Sequence, residues 1–290
     1  MTQSSNGDRA TARIPQGTIA YRELGEGEPI LFVHGLLVDG RLWDGVAERL
    51  ASGHRCIVPD WPMGSHRTAM SESADLSPPG LAEVIVAFMD EIGLKRATVV
   101  GNDTGGAVSQ ILTANHPDRV ERLVLTNCDT FEHFPPFPFN GLTLFARIPG
   151  GVSALQAPLR FAAARRMGFA PLVKHPLDQG LVDGWLASAR EDAAVKRDLT
   201  KILRGIDKRQ TIEAAEKLRG FDRPVRFAWA TEDRFFKLAH AERLAATLRD
   251  ARVEPIADAR TFVPQDQPAR VAELIGEFVA EGAPASAHPA

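Results

Sequence analysis

Cysteine is scarce in this sequence, and the spacings typical of metal sites are missing. The two cysteines, Cys56 and Cys128, lie far apart and in or beside strand-like runs, so we expect reduced, buried thiols rather than a disulfide framework or a zinc site. The carboxylates and histidines show no ligand spacing such as H-x-x-x-H. The sequence therefore predicts neither a bound metal nor a cofactor.

An excess of charge and a long apolar run are also missing. Lys and Arg number 34 against 37 Asp and Glu, which gives a net charge of −3 without clusters. This balance predicts no nucleic-acid partner and no membrane partner, and favours a small-molecule substrate. No run approaches the roughly 20 apolar residues of a membrane span, and residues 1–11 lack the apolar core of a secretory signal. We therefore expect a cytoplasmic protein, with a homodimer left open.

Short apolar runs alternate along the chain with longer stretches of helical period. This order predicts an α/β fold, with a mainly parallel central sheet flanked by helices. The predicted strands are 18–22, 29–33, 56–59, 97–100, 122–126, 225–230 and 252–256. The predicted helices are 41–51, 80–92, 105–115, 239–248 and 269–280.

The alternation is interrupted once, by a Pro- and Phe-rich segment followed by helical sequence without a strand. We interpret residues 131–210 as an inserted helical lid, or cap. Residues 1–130 are then the first half of the core and residues 211–281 the second half. Residues 282–290, rich in small residues and proline, are expected to form a disordered tail.

The sequence Gly101-Asn102-Asp103-Thr104-Gly105-Gly106 lies between a predicted strand and a predicted helix. A strained turn of the form Gly-x-nucleophile-x-Gly needs small residues on both sides, and this motif has them. An isolated G-x-D-x-G is common in ordinary turns, but the strand and helix around it favour a nucleophile elbow. A dinucleotide loop is disfavoured because Asp103 would face a pyrophosphate with negative charge.

Two backbone amides are predicted to stabilise negative charge at this elbow. The Thr104 amide lies at a helix N-terminus. The second donor should come from the loop after strand 29–33, where His34-Gly35 is followed by Leu36. Leu36 and Thr104 are therefore the candidate oxyanion donors.

These motifs, with Asp233 in Thr231-Glu-Asp-Arg and a terminal TFVPQDQP in the expected order, make residues 15–280 resemble the α/β-hydrolase superfamily. By nucleophile type the resemblance is to haloalkane dehalogenases and epoxide hydrolases. It implies that Asp103 attacks a saturated carbon and forms an alkyl ester, which a histidine held by a second carboxylate then hydrolyses. Asp233 matches that second carboxylate, with Asp129 as the alternative.

The chain departs from this pattern where the catalytic histidine should stand, because Thr261 occupies its place. A threonine hydroxyl cannot accept a proton as imidazole does. Either another base acts, with His66 favoured over His133, or the standard cycle is not completed. A plain loop or stacking role is the alternative for both histidines.

The residues that usually assist epoxide hydrolases and haloalkane dehalogenases are also absent from their expected positions. The only tyrosine, Tyr21, lies outside the lid, whereas epoxide hydrolases use lid tyrosines to activate the epoxide oxygen. Haloalkane dehalogenases hold halide with a tryptophan after the nucleophile and an asparagine after His-Gly, where this chain has Thr104 and Leu36. Four residues are substrate-binding candidates, each with a packing role as its alternative: His34, Trp61, His133 and Trp185.

Three functions follow as hypotheses. The first is a cofactor-free hydrolase of a small or medium apolar substrate, with an epoxide or an alkyl halide as the class to test. The second is a non-hydrolytic lyase, isomerase or cyclase on the same scaffold. The third is a ligand-binding protein without turnover.

Overall fold

The computed structural model describes residues 9–281. The expected disordered tail, 282–290, lies outside these residues. Within them an eight-stranded sheet has the order β1-β2-β4-β3-β5-β6-β7-β8. The strands are β1 Arg9–Ile14, β2 Gly17–Leu24, β3 Glu28–Val33, β4 His54–Pro59, β5 Ala97–Asp103, β6 Val120–Cys128, β7 Val225–Ala230 and β8 Ala251–Ile256.

The sheet is antiparallel at one edge and parallel elsewhere. β1 pairs with β2 and β2 with β4 in antiparallel register, whereas β4, β3, β5, β6, β7 and β8 run parallel. Parallel strands need both faces covered, which explains why β7 is buried along its whole length. This confirms the predicted α/β class.

Helices cover both faces of the sheet. One face packs against α2 Pro78–Glu91, α3 Thr104–Asn115, α9 Lys208–Leu218 and α10 Leu238–Ala245, and the other against α1 Asp44–Leu50 and α12 Pro268–Ala280. Successive strand residues serve opposite faces, as their period of two requires. In β3, Leu31 and Val33 belong to the first core, and Ile30 and Phe32 to the second.

Helices without a strand lie between β6 and β7 in the described residues, and we call this helical segment the cap. It consists of α4 Asn140–Ala146, α5 Gly151–Gln156, α6 Ala162–Phe169, α7 Gln179–Glu191 and α8 Ala193–Gly205. The next helix, α9, packs against α3 in the core layer. The helical segment named the cap thus ends before α9, and the domain bounds at 131 and 210 stay a prediction.

The elements that the sequence did not predict include β1, α9 and α11 Val263–Asp266. β1 is an edge strand of alternating pattern, in which Ala12 and Ile14 are buried against the core. The short helix α11 follows Thr261. Over the described part of the chain, no helix is long and apolar enough to cross a membrane.

Candidate active site

Asp103 stands at a strained strand-to-helix turn at the carboxyl end of β5. Its backbone has φ 52° and ψ −132°, a region that costs a non-glycine residue about 1–3 kcal/mol. Close backbone contacts hold the turn in place. A side chain at Gly105 would overlap the carbonyls of Val33 and His34, and one at Gly101 would meet the Ser109 hydroxyl. The elbow therefore needs its glycines for close approach.

The Asp103 carboxylate lies against two backbone amides. Its Oδ2 accepts a hydrogen bond from the Leu36 amide at 3.3 Å, and the Thr104 amide also donates to this carboxyl group. Burial raises the pKa of Asp103 to about 6, with the charge of Asp233 adding to the shift and the two amides opposing it. The structure thus brings both predicted oxyanion donors to the predicted nucleophile.

Asp129 follows β6 and is buried beside Asp103. Its side chain lines the same cavity, and its Oδ1 has no hydrogen-bond partner within residues 9–281. Burial, and then the negative charge of Asp103, raise the pKa of Asp129 well above the ordinary value. Two carboxylates this close in an apolar setting do not both ionise readily, so the pair favours a single negative charge.

Asp233 and Thr261 meet behind the elbow, where β7 and β8 end. Asp233 Oδ1 accepts the Phe235 and Phe236 amides at 2.7 and 3.1 Å, and burial raises the pKa of Asp233. Thr261 is fully buried, and its hydroxyl is near enough to oppose that shift. Neither Asp233 Oδ2 nor Thr261 Oγ1 has a hydrogen-bond partner in the described part of the chain. Thr261 therefore lies next to Asp233, one of the two candidates for the second carboxylate.

Asn102 ties this edge of the sheet together, a role that the sequence analysis missed. Its Nδ2 donates to Thr126 Oγ1 at 2.8 Å, to the Asn127 carbonyl at 3.2 Å and to the Thr261 carbonyl at 2.8 Å. Asn127 in turn pairs with both backbone groups of Ala230. An amide side chain at a buried position of β5 is the signal that could have indicated such a role.

The two buried histidines near the site are engaged elsewhere. His34 Nε2 accepts the Trp61 amide at 2.8 Å, its Nδ1 faces the Gly35 carbonyl at 2.9 Å, and burial lowers its pKa. His66 Nδ1 accepts the Gly64 amide at 3.3 Å, and its Nε2 contacts Asp198 of the cap at 3.2 Å. These contacts favour structural roles for both, and they leave His66 without a free nitrogen for general-base catalysis.

The other predicted contact residues lie away from the nucleophile. His133 is partly exposed and stacks on His240 with ring centroids 4.1 Å apart. Trp61 is a core residue whose Nε1 donates to the Phe32 carbonyl, and Trp185 donates to Asp39. Trp185 reaches the site only through its packing on Phe169 and Phe262, which line the cavity.

A cavity of about 260 Å³ opens above Asp103, between core and cap. Its lining is almost wholly apolar, and its four polar members are Asp103, Thr104, Asp129 and Gln156. Gln156 was not foreseen. The apolar lining residues include Leu36, Leu37, Pro135, Phe139, Leu142, Val152, Leu199, Leu203 and Ile206. No histidine within 9–281 lines this cavity, and no cluster of three potential metal ligands occurs there.

Comparison with known proteins agrees with this architecture. Haloalkane dehalogenase 2 of Mycobacterium tuberculosis is 26% identical over 276 residues, which is 90% of this chain and 91% of that protein. A 2-hydroxy-6-oxo-6-phenylhexa-2,4-dienoate hydrolase of Comamonas testosteroni is 26% identical over 81% of this chain and 82% of its own length.

Solved structures show the same fold at lower identity. Haloalkane dehalogenase DbeA from Bradyrhizobium elkani USDA94 superposes with a TM-score of 0.81 at 18% identity, covering 94% of this chain and 98% of that one. The meta-cleavage product hydrolase CumD from Pseudomonas fluorescens IP01 gives 0.77 at 18% identity, with the same two coverages. The α/β-hydrolase fold family model matches residues 28–266, and the chain belongs to that family.

Proposed function

We propose that this protein is a cofactor-free hydrolase in which Asp103 attacks a saturated carbon of a small or medium apolar substrate, an epoxide or an alkyl halide. One observation carries the proposal. The Asp103 carboxyl group lines an apolar cavity, its Oδ2 accepts the Leu36 amide, and the Thr104 amide also donates to the group. We assign the attack to Oδ1, because Oδ2 is engaged by Leu36. The haloalkane dehalogenases among its relatives support the same class of reaction.

An aspartate nucleophile restricts the kind of carbon atom that can be attacked productively. Attack on an ester carbonyl would form a labile anhydride, whereas attack on a saturated carbon with a leaving group forms a stable alkyl ester. Desolvation in the cavity strengthens the nucleophile because it removes water from the carboxylate. The apolar lining suits substrates without charge.

Hydrolysis of the ester then depends on the same two amides. When water attacks Cγ of Asp103, negative charge develops on Oδ2, which the Leu36 amide contacts, and the Thr104 amide that donates to the same carboxyl group would share in stabilising it. Since no imidazole of residues 9–281 lines the cavity, the candidate to accept the proton of water is the carboxyl group of Asp129, which lines it together with Asp103.

The test is a single turnover in H₂¹⁸O with 1,2-epoxyhexane, followed by peptide mass spectrometry. Attack by Asp103 puts ¹⁸O from solvent into the Asp103 carboxylate and none into the first product, because the ester is cleaved at Cγ. Direct attack of water on the substrate puts the label into the product and overturns the proposal. Asp103→Asn, which keeps the shape of the side chain, is the control and should form neither ester nor product.

A second candidate is a non-hydrolytic lyase, isomerase or cyclase step that uses the carboxyls for proton transfer. Thr261 at the place of the histidine and the close pair Asp103 and Asp129 favour it. It predicts product formation without any ester on Asp103. Tight ligand binding with neither ester nor product would instead indicate a binding protein.

A further inference from the structure

Cleavage of a carbon–oxygen bond needs a proton at the leaving oxygen, and the cavity offers few donors. Its polar side chains are Asp103, Thr104, Asp129 and Gln156. Asp103 is the nucleophile, and the hydroxyl and amide can donate a hydrogen bond but do not give up a proton near neutral pH. Asp129 is the remaining acid.

The surroundings of the two carboxyls decide which one holds the proton. Asp103 accepts hydrogen bonds from the Leu36 amide in the loop after β3 and from the Thr104 amide at the start of α3, and both stabilise its charged form. Asp129 is only 1% exposed, and its Oδ1 has no hydrogen-bond partner in the described structure. At neutral pH the single charge of the pair therefore belongs on Asp103, and the proton on Asp129. Two carboxyls with environments this different are arranged as a nucleophile and an acid.

We propose that Asp129 is the proton shuttle of this site, acting as acid in the first step and as base in the second, and that it selects epoxides over alkyl halides. This rests on the proposed role of Asp103 as nucleophile. In the first step Asp103 Oδ1 bonds to the epoxide carbon, the carbon–oxygen bond breaks, and the Asp129 proton passes to the released oxygen. The products are a hydroxyalkyl ester on Asp103 and a carboxylate at Asp129.

The carboxylate of Asp129 then acts as the general base, the role that the catalytic histidine has in the related enzymes. Asp129 takes a proton from water as the hydroxide adds to Cγ of Asp103, and returns it to the departing alkoxide. Asp103 is left as a carboxylic acid, which passes its proton to Asp129. The net reaction converts an epoxide and water into a diol, and both carboxyls regain their starting states.

An alkyl halide cannot start this cycle, because halide leaves without a proton. Asp129 then stays protonated beside the new ester and cannot accept a proton from water. The ester persists until the buried Asp129 loses its proton to solvent. The geometry thus predicts catalytic turnover of an epoxide and a trapped ester from the matching halide.

The experiment compares 1,2-epoxyhexane with 1-bromohexane, which share a six-carbon chain. Diol is followed by gas chromatography and the Asp103 ester by intact-protein mass spectrometry. Wild type should turn over the epoxide without a lasting adduct, and should accumulate a hexyl ester from the bromide. Asp129→Asn should lose about 10²- to 10⁴-fold in epoxide opening and keep bromide alkylation within a few-fold. Alkylation by the bromide also reports that the variant is folded.

The outcomes separate the two proposals. Epoxide opening at the wild-type rate in Asp129→Asn, or a bromide-derived ester that wild type hydrolyses as fast as the epoxide-derived one, overturns the role of Asp129 and leaves Asp103 as nucleophile. If neither probe modifies wild-type Asp103 during turnover, the proposed function itself is wrong, and the role of Asp129 with it.

Discussion

A single side chain, Thr261, separates this site from the triad that its motifs resemble. Its hydroxyl and Oδ2 of Asp233 are both buried and lack partners in the described structure. Asp233 is nevertheless held in place, because its Oδ1 accepts two backbone amides. The chain thus keeps, at Asp233, the carboxylate that the resemblance assigns to orient a histidine, and has Thr261 where that histidine is expected.

Restoring the imidazole should restore the base. Thr261→His places a ring beside Asp233 Oδ2, where a carboxylate fixes the tautomer and supports the charged form. We expect the hexyl ester from 1-bromohexane to be hydrolysed about 10²- to 10⁴-fold faster than in wild type. The measurement is the decay of the ester by intact-protein mass spectrometry after removal of the bromide.

The matched control is Thr261→Phe, which adds a ring of similar size but no nitrogen. It should leave the ester lifetime near that of wild type. An ester equally long-lived in a folded Thr261→His protein would contradict the assignment of this position.

At the scale of elements, the site is built where strands end. Asp103 ends β5, whereas Asp129, Asp233 and Thr261 follow β6, β7 and β8. These four strands are neighbours in the sheet. Parallel strands place their carboxyl ends at one edge, which brings residues more than 150 positions apart in sequence together. The loop after β3 completes the site because it lies directly against the elbow.

Gly35 lets this loop approach Asp103, the proposed nucleophile. A Cβ at position 35 would lie 2.7 Å from Cβ of Asp103 and closer still to its Oδ2. Gly35→Ala should therefore displace Asp103 from the Leu36 amide and slow alkylation by 1-bromohexane by about 10²-fold or more. Stopped-time mass spectrometry gives the rate. Gly53→Ala is the control, since a Cβ there meets nothing within 4 Å, and equal rates in the two variants would contradict this reading of the loop.

For the whole molecule, the desolvated carboxyl group of Asp103 lowers the free energy of unfolding at neutral pH. The pKa of Asp103 is raised in the folded state, from 3.8 to about 6, so between these values the folded state binds more protons than the unfolded state. The free energy of unfolding then falls as the pH rises through this window. The contribution is unfavourable at pH 7 and absent well below pH 4.

Asp103→Asn should therefore stabilise the protein at neutral pH. We expect a gain of about 2 to 3 kcal/mol in the free energy of unfolding at pH 7, which shrinks toward zero below pH 4. Urea denaturation at several pH values measures it. The exposed Asp222→Asn is the control, with a change below about 0.5 kcal/mol throughout. Equal stability of Asp103→Asn and wild type at pH 7 would show that the nucleophile is not strained by burial.

Much of the fold followed from local pattern. The predicted strand 225–230 matches β7 residue for residue, and the elbow glycines marked the turn at Asp103. β1 was not predicted because its six residues show only a short alternation of polar and apolar side chains, as is usual for a strand at the edge of a sheet. His66 was favoured as a base from its place after a strand, but sequence cannot show that its ring contacts Asp198, 132 positions away.

The sequence by itself determined the fold family, the aspartate at the elbow and the threonine at the place of the histidine, since each depends on residue types in a fixed order along the chain. The tertiary structure alone decided which groups share the cavity. Burial and the proximity of Asp129 to Asp103 arise from the packing of cap on core and of strand on strand, and charge states in the site depend on those distances rather than on sequence order.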